Sequence, residues 1–253
     1  MHRVSWLALR VASLAVSPWL AAAPAVAGAK DAPSDAQALV RSLRNGVAHV
    51  GYGSEAGERV ELRWLGTGFL TGKRCTVVTA KHLLEDVPPE RLIVRFEHPA
   101  EPGSALTFNA RATGSDPERD LAYLTLAELP GGHDPCAAGV LRPLPLADEL
   151  DPRGVAGADV LVLGFPALEG EQPREVPIVR RGSVASAELS WSGKPMLLLD
   201  LTGVPGFSGA PVVLSATGEV IGVVFGPGRT QREYDLEWAT PITRRDLKRA
   251  GME

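Results

Sequence analysis

The chain is poor in cysteine, histidine and aromatic side chains. Of its 253 residues only 2 are cysteine and 5 are histidine, and aromatic side chains make up 6%. Cys75 and Cys136 lie far apart and outside any C-x-x-C pair, and no group of His, Cys, Asp and Glu has the spacing of a zinc site. We therefore expect neither a metal ion nor an organic cofactor.

A basic surface is also missing. The formal net charge is −4, and no stripe of lysine or arginine runs along any predicted element. Proteins that bind nucleic acid neutralise phosphates with such stripes. We therefore expect no nucleic-acid partner.

Long apolar runs are absent except at the N-terminus. The run Val4 to Leu20 follows Arg3 and precedes the small residues Ala25-Val26-Ala27, a pattern typical of a secretory signal peptide that is cleaved after Ala27. The alternative is an uncleaved membrane anchor, but Arg10 and Pro18 interrupt the run and leave it short for a membrane span. The sequence thus predicts an exported protein, periplasmic or secreted, without stable membrane insertion after signal cleavage.

Export bears on the two cysteines. In an oxidising compartment Cys75 and Cys136 could form one disulfide. The alternative is two separate thiols, with Cys75 buried in a strand. The residues alone favour neither.

Short apolar runs separated by glycine and proline are abundant. The 27 glycines and 21 prolines are spread between runs of four to eight residues rich in Val, Leu and Thr, which favours many short strands over alternating βα units. We predict an all-β fold of two antiparallel six-stranded β-barrels, with a short N-terminal and a short C-terminal helix. The predicted parts are a signal peptide at 1–27, a segment with the helix at 28–45, the first barrel at 46–145, and the second barrel with the C-terminal helix at 146–253.

Three segments place a reactive side chain beside residues that could position it. His82 ends the predicted strand that begins at Cys75, Asp120 opens another strand, and Ser208 lies in a turn between two glycines. A serine hydroxyl is a poor nucleophile near neutral pH and needs a base, which itself needs a partner to fix its tautomer. We assign these roles to His82 and Asp120, and the oxyanion-binding N–H groups to Gly206 and Ser208.

The three segments resemble those of the trypsin-like serine peptidases, and of their bacterial HtrA-like branch more than the digestive enzymes. Thr79-Ala-Lys-His82 resembles the family's T-A-x-H segment, Asp120-Leu-Ala122 its D-[IL]-A segment and Gly206-Phe-Ser-Gly209 its G-x-S-G segment. Further similar phrases are Gly66 to Leu70, Pro143 to Asp148 and Trp238 to Ile242. The resemblance implies a chymotrypsin-like double barrel and a serine endopeptidase that cleaves polypeptides in the cleft between the barrels.

Two departures from the family limit what the resemblance implies. Phe207 stands before the nucleophile, where digestive relatives carry an Asp that pairs with a newly cut N-terminus, so we do not expect that activation mechanism. No segment of the size of a PDZ domain follows Ile242, so we do not expect regulation by such a module.

Two other functions compete with the peptidase. An α/β-hydrolase requires its histidine after the serine, whereas all five histidines precede Ser208. A catalytically silent binding protein on the same fold would be expected to have lost a triad residue, and all three are present. The peptidase is the favoured function, with the silent binding protein as the alternative.

The resemblance also implies which residues line the primary substrate pocket: Thr202, Phe225, Gly226, Glu237 and Trp238. If Glu237 points into the pocket, it would pair with a basic substrate side chain. If it faces solvent, as exposed glutamates usually do, Phe225 and Trp238 would form a small, mostly apolar pocket. We favour the solvent-facing orientation.

Overall fold

The structure is a computed structural model. It describes residues 35–56, 59–101, 103–128, 132, 134–167, 176–226 and 236–252. The predicted signal peptide at 1–27 lies outside the described residues. None of the helices within these ranges has the length and apolar character that crossing a membrane requires.

The first barrel follows a short amphipathic helix, α1 (Asp35–Arg44), whose last turn carries Arg41 and Arg44. Six antiparallel strands close the barrel in the order β1-β2-β3-β6-β5-β4. Their bounds are β1 (Val47–Ala56), β2 (Arg59–Thr71), β3 (Thr76–Ala80), β4 (Leu92–Glu97), β5 (Ala105–Asp116) and β6 (Leu121–Leu126). Closure leaves no unpaired edge in this sheet.

The second barrel repeats this arrangement in the order β10-β11-β12-β9-β8-β7. Its strands are β7 (Asp159–Gly164), β8 (Ile178–Trp191), β9 (Lys194–Asp200), β10 (Pro211–Leu214), β11 (Val220–Val224) and β12 (Leu236–Pro241). The predicted fold class is therefore confirmed.

Both predicted helices are present, and the described residues include a third α-helix. The C-terminal helix α3 (Arg244–Arg249) begins with a capping box between Thr243 and Asp246. The single turn α2 (Pro152–Val155) was not predicted. It begins at a proline, and the Asp151 side chain accepts a hydrogen bond from the Arg153 N–H. Both are signals of a helix start, but four residues are too few to show a helical pattern in the sequence.

The two barrels share part of their cores. One buried cluster contains Phe69 and Val78 of the first barrel together with Leu163 and Val223 of the second. The chain that joins the barrels also bonds to both: Leu144 pairs with Thr71 of β2, and Leu146 pairs with Val220 of β11. This packing fixes the position of the cleft between the barrels.

The two cysteines form a disulfide. Cys75, just before β3, is bonded to Cys136 in the connection between the barrels, with their Cα atoms 5.7 Å apart. The sequence left this bond and two separate thiols as alternatives, because the pairing depends on how closely the fold brings the connection to β3.

Candidate active site

His82 and Asp120 meet at the rim of the first barrel. Nδ1 of His82 lies 2.6 Å from Oδ2 of Asp120, and the His82 backbone N–H donates to Oδ1 of the same carboxylate at 2.8 Å. The carboxylate therefore holds both the ring and the backbone of the histidine. With Nδ1 engaged in this way, Nε2 is the ring nitrogen left for a reacting group.

The position of Asp120 depends on an unusual backbone conformation. Its φ is +56°, in the left-handed region that Asp tolerates better than most residues. Its carbonyl accepts a hydrogen bond from the Lys81 N–H at 2.8 Å. The bend just before β6 thus places the Asp120 side chain against His82 and the Asp120 carbonyl against Lys81.

Arg119 anchors this bend to the second barrel. Its guanidinium donates to Oδ1 of Asp246 at 2.7 Å and to the Pro241 carbonyl, while its own carbonyl accepts a hydrogen bond from Thr240 Oγ1 at 3.0 Å. Burial would raise the pKa of Asp246, but the hydrogen bond and charge of Arg119 lower the pKa below its ordinary value. The residue beside Asp120 is therefore part of a charged link between the barrels.

Ser208 lies in a tight turn that requires glycine two positions before it and directly after it. Gly206 and Gly209 have φ of +91° and +85°. A Cβ at Gly206 would lie 2.3 Å from the Phe165 carbonyl oxygen, and one at Gly209 would lie 2.0 Å from the Thr67 carbonyl oxygen. Both glycines are required by conformation and by space.

Hydrogen bonds orient the two peptide groups whose N–H groups were predicted to bind an oxyanion. The Pro205 carbonyl, in the peptide that carries the Gly206 N–H, accepts a bond from Ala167 N–H at 2.8 Å. The Phe207 carbonyl, in the peptide that carries the Ser208 N–H, accepts from Ala210 N–H at 2.8 Å. Since N–H and C=O point in opposite directions across a peptide group, both N–H groups are turned away from these anchors.

Among the described residues, neither of these N–H groups has an acceptor. Within the described parts of the chain, no hydrogen bond is donated by Gly206 N–H or by Ser208 N–H. Two fixed donors left open in one turn are the arrangement that stabilises a developing negative charge on oxygen.

Ser208, His82 and Asp120 line one cavity of about 660 Å³ between the barrels. Gly226 lies close to the Ser208 side chain, since a Cβ there would lie 3.3 Å from Ser208 Oγ. The rest of the lining comes from the loop before β6, the β8–β9 hairpin, the residue after β11 and the last part of β12. These residues are Pro117, Glu118, Arg119, Trp191, Ser192, Lys194, Pro195, Met196, Phe225 and Thr240. The cavity wall is mixed, with aromatic, apolar and charged groups.

The predicted substrate-pocket residues divide into two groups. Phe225 and Gly226 line this cavity, whereas Thr202, Glu237 and Trp238 are not among its lining residues. Trp238 instead packs against Trp191, with ring centroids 5.9 Å apart.

The expected orientation of Glu237 was wrong. Glu237 does not face solvent, since only 1% of the residue is exposed. The reason is the two-residue period of β12, in which Glu237 lies on the same face as the buried Ala239 and opposite Leu199 of β9. The carboxylate belongs to the interior side of the second barrel, and its Oε1 accepts a hydrogen bond from the Trp238 N–H at 3.2 Å.

One group of metal-ligand side chains occurs among the described residues: Cys75, Asp134 and Cys136, with their ligand atoms within 4.8 Å of one another. Both sulfurs are in the disulfide and are therefore not thiolate ligands. The Asp134 carboxylate accepts hydrogen bonds from the N–H groups of Cys136 and Ala137. This group stabilises a turn.

Sequence reasoning gave no role to two residues that the site depends on. Arg119 was visible only as the residue before Asp120, and Thr67 only as part of the glycine-rich segment from Gly66 to Leu70. A cation beside a proposed triad aspartate is a signal for an anchoring role. Its partners in the second barrel, Asp246, Pro241 and Thr240, are however more than a hundred positions away in the chain.

The comparison with protein families agrees with this geometry. The model of the trypsin-like peptidase domain matches residues 66–223, which is more than half of the chain and contains His82, Asp120 and Ser208. A search of curated proteins finds no match. On the family match and the double barrel together, the chain belongs to the family of trypsin-like peptidase domains.

Proposed function

We propose that this protein is a serine endopeptidase that cleaves polypeptide substrates through an acyl-enzyme. Ser208 is the nucleophile, His82 the general base and then the general acid, and Asp120 the residue that orients His82. The N–H groups of Gly206 and Ser208 bind the oxyanion. The proposal includes export of the mature chain, which the N-terminal segment predicts.

The observation that carries the proposal is the pair of oriented N–H donors beside an assembled His–Asp pair. A donor that is fixed before the substrate arrives costs no reorganisation during the reaction, and losing one such donor typically costs about 100- to 1,000-fold in rate. A chain that only bound a partner would not need these open donors next to Ser208. The alternative of a silent binding protein therefore has less support than the peptidase.

The arrangement of these residues supports the following chemistry. Ser208 Oγ attacks the peptide carbonyl carbon while its proton passes to Nε2 of His82, and the carbonyl oxygen becomes an anion between the two N–H donors. Collapse of this intermediate breaks the C–N bond as His82 gives its proton to the leaving amine. A water molecule then gives a proton to His82 and attacks the acyl carbon. The bond to Ser208 Oγ breaks, His82 returns the proton to Ser208, and the acid product is released.

The nucleophile turn supports activity without cleavage of the chain to form a new N-terminus. Phe207, at the position where digestive relatives carry an Asp, is 2% exposed and packs in the core of the second barrel. The turn is held by Ala167, Ala210 and this apolar side chain. We therefore propose that the mature chain is active without the digestive enzymes' activation mechanism.

Labelling by a fluorophosphonate tests the proposal. We expect the purified mature chain to be labelled covalently and stoichiometrically at Ser208, and to hydrolyse a casein or mixed-peptide substrate. Ser208→Ala should abolish both, and His82→Ala should abolish hydrolysis with the fold intact. An intact, folded chain that neither reacts with the probe nor cleaves any peptide would instead support the silent binding protein.

A further inference from the structure

Thr67 lies where the first barrel touches the turn that carries Ser208. It is a buried residue of β2, fully excluded from solvent. Its backbone N–H donates to the Ser208 carbonyl at 2.9 Å, and its hydroxyl donates to the Gly206 carbonyl at 2.8 Å. One residue thus binds the carbonyls of both residues proposed to supply the oxyanion-binding N–H groups.

The Thr67 hydroxyl is also an acceptor. The Phe165 N–H donates to it at 3.0 Å, and Phe165 begins the short segment in which Ala167 N–H holds the Pro205 carbonyl. A single hydroxyl therefore joins the turn at Gly206 to the segment that anchors the peptide before it. Only a side chain that both donates and accepts can make these two bonds.

On its other side, Thr67 bonds to the strand that leads to the base. Its carbonyl accepts a hydrogen bond from Thr79 Oγ1 at 2.7 Å, and Thr79 lies in β3 three positions before His82. The buried link from β3 through Thr67 to Gly206 and Ser208 crosses from one barrel to the other.

Gly206 needs such anchoring because glycine does not restrict its own backbone. With φ at +91° and no Cβ, the peptides on either side of Gly206 can rotate unless their carbonyls are held. Ala167 holds the peptide before Gly206, and the Thr67 hydroxyl holds the peptide after it. The Gly206 N–H belongs to the peptide that Ala167 holds. Thr67 acts on that peptide from two sides, through the Gly206 carbonyl and through its bond to the Phe165 N–H two positions before Ala167.

We propose that Thr67 is a positioning residue for the reaction: its hydroxyl holds the Gly206 carbonyl and the segment whose Ala167 N–H holds the Pro205 carbonyl, so that the Gly206 N–H between them stays directed at the substrate oxygen. The inference rests on the proposed function. It predicts an effect on transition-state binding that is distinct from a loss of fold stability.

The test compares Thr67→Val, which keeps the shape and removes the donor and acceptor, with Thr67→Ser, which keeps the hydroxyl. Thr71→Val is the matched control. Thr71 is also buried in β2, and its hydroxyl makes a buried bond of 2.8 Å, but to the Leu144 carbonyl away from the Ser208 turn. All three variants and the wild type are titrated with fluorophosphonate, so that rates refer to reactive protein.

We expect Thr67→Val to lower kcat by about 10- to 100-fold, while KM changes by less than about threefold. This decrease in kcat is no larger than the decrease that follows loss of a whole oxyanion donor. Thr67→Ser should recover most of this rate. Thr71→Val should lose thermal stability to a similar degree and keep its kcat. A peptide aldehyde, whose adduct with Ser208 carries an oxyanion, should lose affinity for Thr67→Val by about the same factor as kcat, whereas the corresponding peptide alcohol should not.

Equal kcat and equal aldehyde affinity in Thr67→Val and wild type would overturn the proposal, as would equal losses of kcat in Thr67→Val and Thr71→Val. If Thr67→Val does not fold, Thr67→Ala is compared with Thr67→Ser, since these two differ only in the hydroxyl, and equal kcat values for this pair would reject the role. A wild-type chain that does not react with fluorophosphonate contradicts the proposed function itself, which is a separate outcome.

Discussion

Gly206 is the residue on which the proposed chemistry depends most closely after the triad. Its backbone lies against Phe165 and Ala167, where a Cβ would be 2.3 Å from one backbone atom and 2.6 Å from another. Its φ of +91° is a second barrier to any other residue. Both constraints act on the residue whose N–H is proposed to bind the oxyanion.

We expect Gly206→Ala to lower kcat/KM by about 100-fold or more, because the turn must shift and misdirect the N–H donor. The fold should persist, since the Phe207 side chain remains in the core. Hydrolysis of a peptide amide, together with circular dichroism, would measure the two effects. Gly103→Ala serves as the control, since Gly103 also has a positive φ but has open space around its Cα. Wild-type kcat/KM in Gly206→Ala would contradict the assigned oxyanion site.

His49 is a second residue whose surroundings lead to a measurable effect. It is 6% exposed and its ring stacks between Trp64 and Phe165, with centroids 4.3 and 4.6 Å away. Burial, and secondarily the charge of Arg95, lower the pKa of His49 from 6.5 to about 3. In the folded protein His49 is therefore neutral over a range in which the unfolded chain takes up a proton.

The sign of the resulting pH dependence follows from this pKa. The unfolded state binds the extra proton as pH falls from about 6.5 towards 3, so His49 lowers the free energy of unfolding in that window. Between pH 7.5 and 4.5 we expect the wild type to lose about 2 to 3 kcal/mol more than His49→Phe, which keeps an aromatic ring but does not titrate. Urea unfolding at several pH values would measure this. Parallel stability curves for the two proteins below pH 6 would contradict it.

At the scale of elements, β8 and β9 form the hairpin that reaches over the cleft. Its tip is tied to the loop before Asp120 by an ion pair of 3.1 Å between Lys194 and Glu118. Trp191 on this hairpin is 47% exposed, lines the cavity with Met196, and rests against Trp238. An exposed aromatic side chain beside the proposed nucleophile is a surface that a substrate side chain can cover.

We therefore expect Trp191→Ala to raise KM about tenfold for peptides with a bulky apolar residue near the cleaved bond, because burial of such a side chain contributes about 1.5 to 3 kcal/mol. A matched peptide with alanine at that position should show a smaller change. Leu189→Ala is the control, since Leu189 is 39% exposed on the same hairpin and does not line the cavity. Equal KM changes for both peptides would contradict a role for Trp191 in binding.

The strands themselves were largely predictable from their local patterns. Runs rich in Val, Leu and Thr between turn residues are local signals of strands, and β6 (Leu121–Leu126) is such a run. β8 (Ile178–Trp191) has 14 residues and is longer than the four to eight residues of the predicted runs. The last four residues of β8 are all exposed, and the strand pairs with β9 across two register shifts. A search for buried apolar runs does not detect such a segment.

At the scale of the whole molecule, the disulfide closes a long loop. Cys75 and Cys136 are separated by 61 positions, and the enclosed segment contains β3 to β6, with both His82 and Asp120. A cross-link of this span restricts the unfolded chain, and loop entropy alone corresponds to about 4 kcal/mol.

We expect the Cys75→Ala/Cys136→Ala double variant to be less stable than wild type by about 2 to 4 kcal/mol. Its kcat/KM at 25 °C should stay close to that of wild type, since neither cysteine lines the cavity. Urea unfolding of the oxidised wild type and the double variant gives the difference, and mass spectrometry before and after alkylation verifies the bond. Equal unfolding midpoints would contradict a stabilising role for this disulfide.

The sequence by itself determined what depends on neighbours in the chain: the all-β class, the two sets of strands, a short helix before the first barrel and another after the second, and the candidate residues His82, Asp120 and Ser208 with their chain order. Only the tertiary structure decided what depends on distant partners. It paired Cys75 with Cys136, buried Glu237 by the register of β12, and brought Arg119 to Asp246 and Thr67 to Gly206. The physical reason is that a local pattern fixes the type of an element and the spacing of its side chains, whereas burial and hydrogen-bond partners depend on which elements pack together.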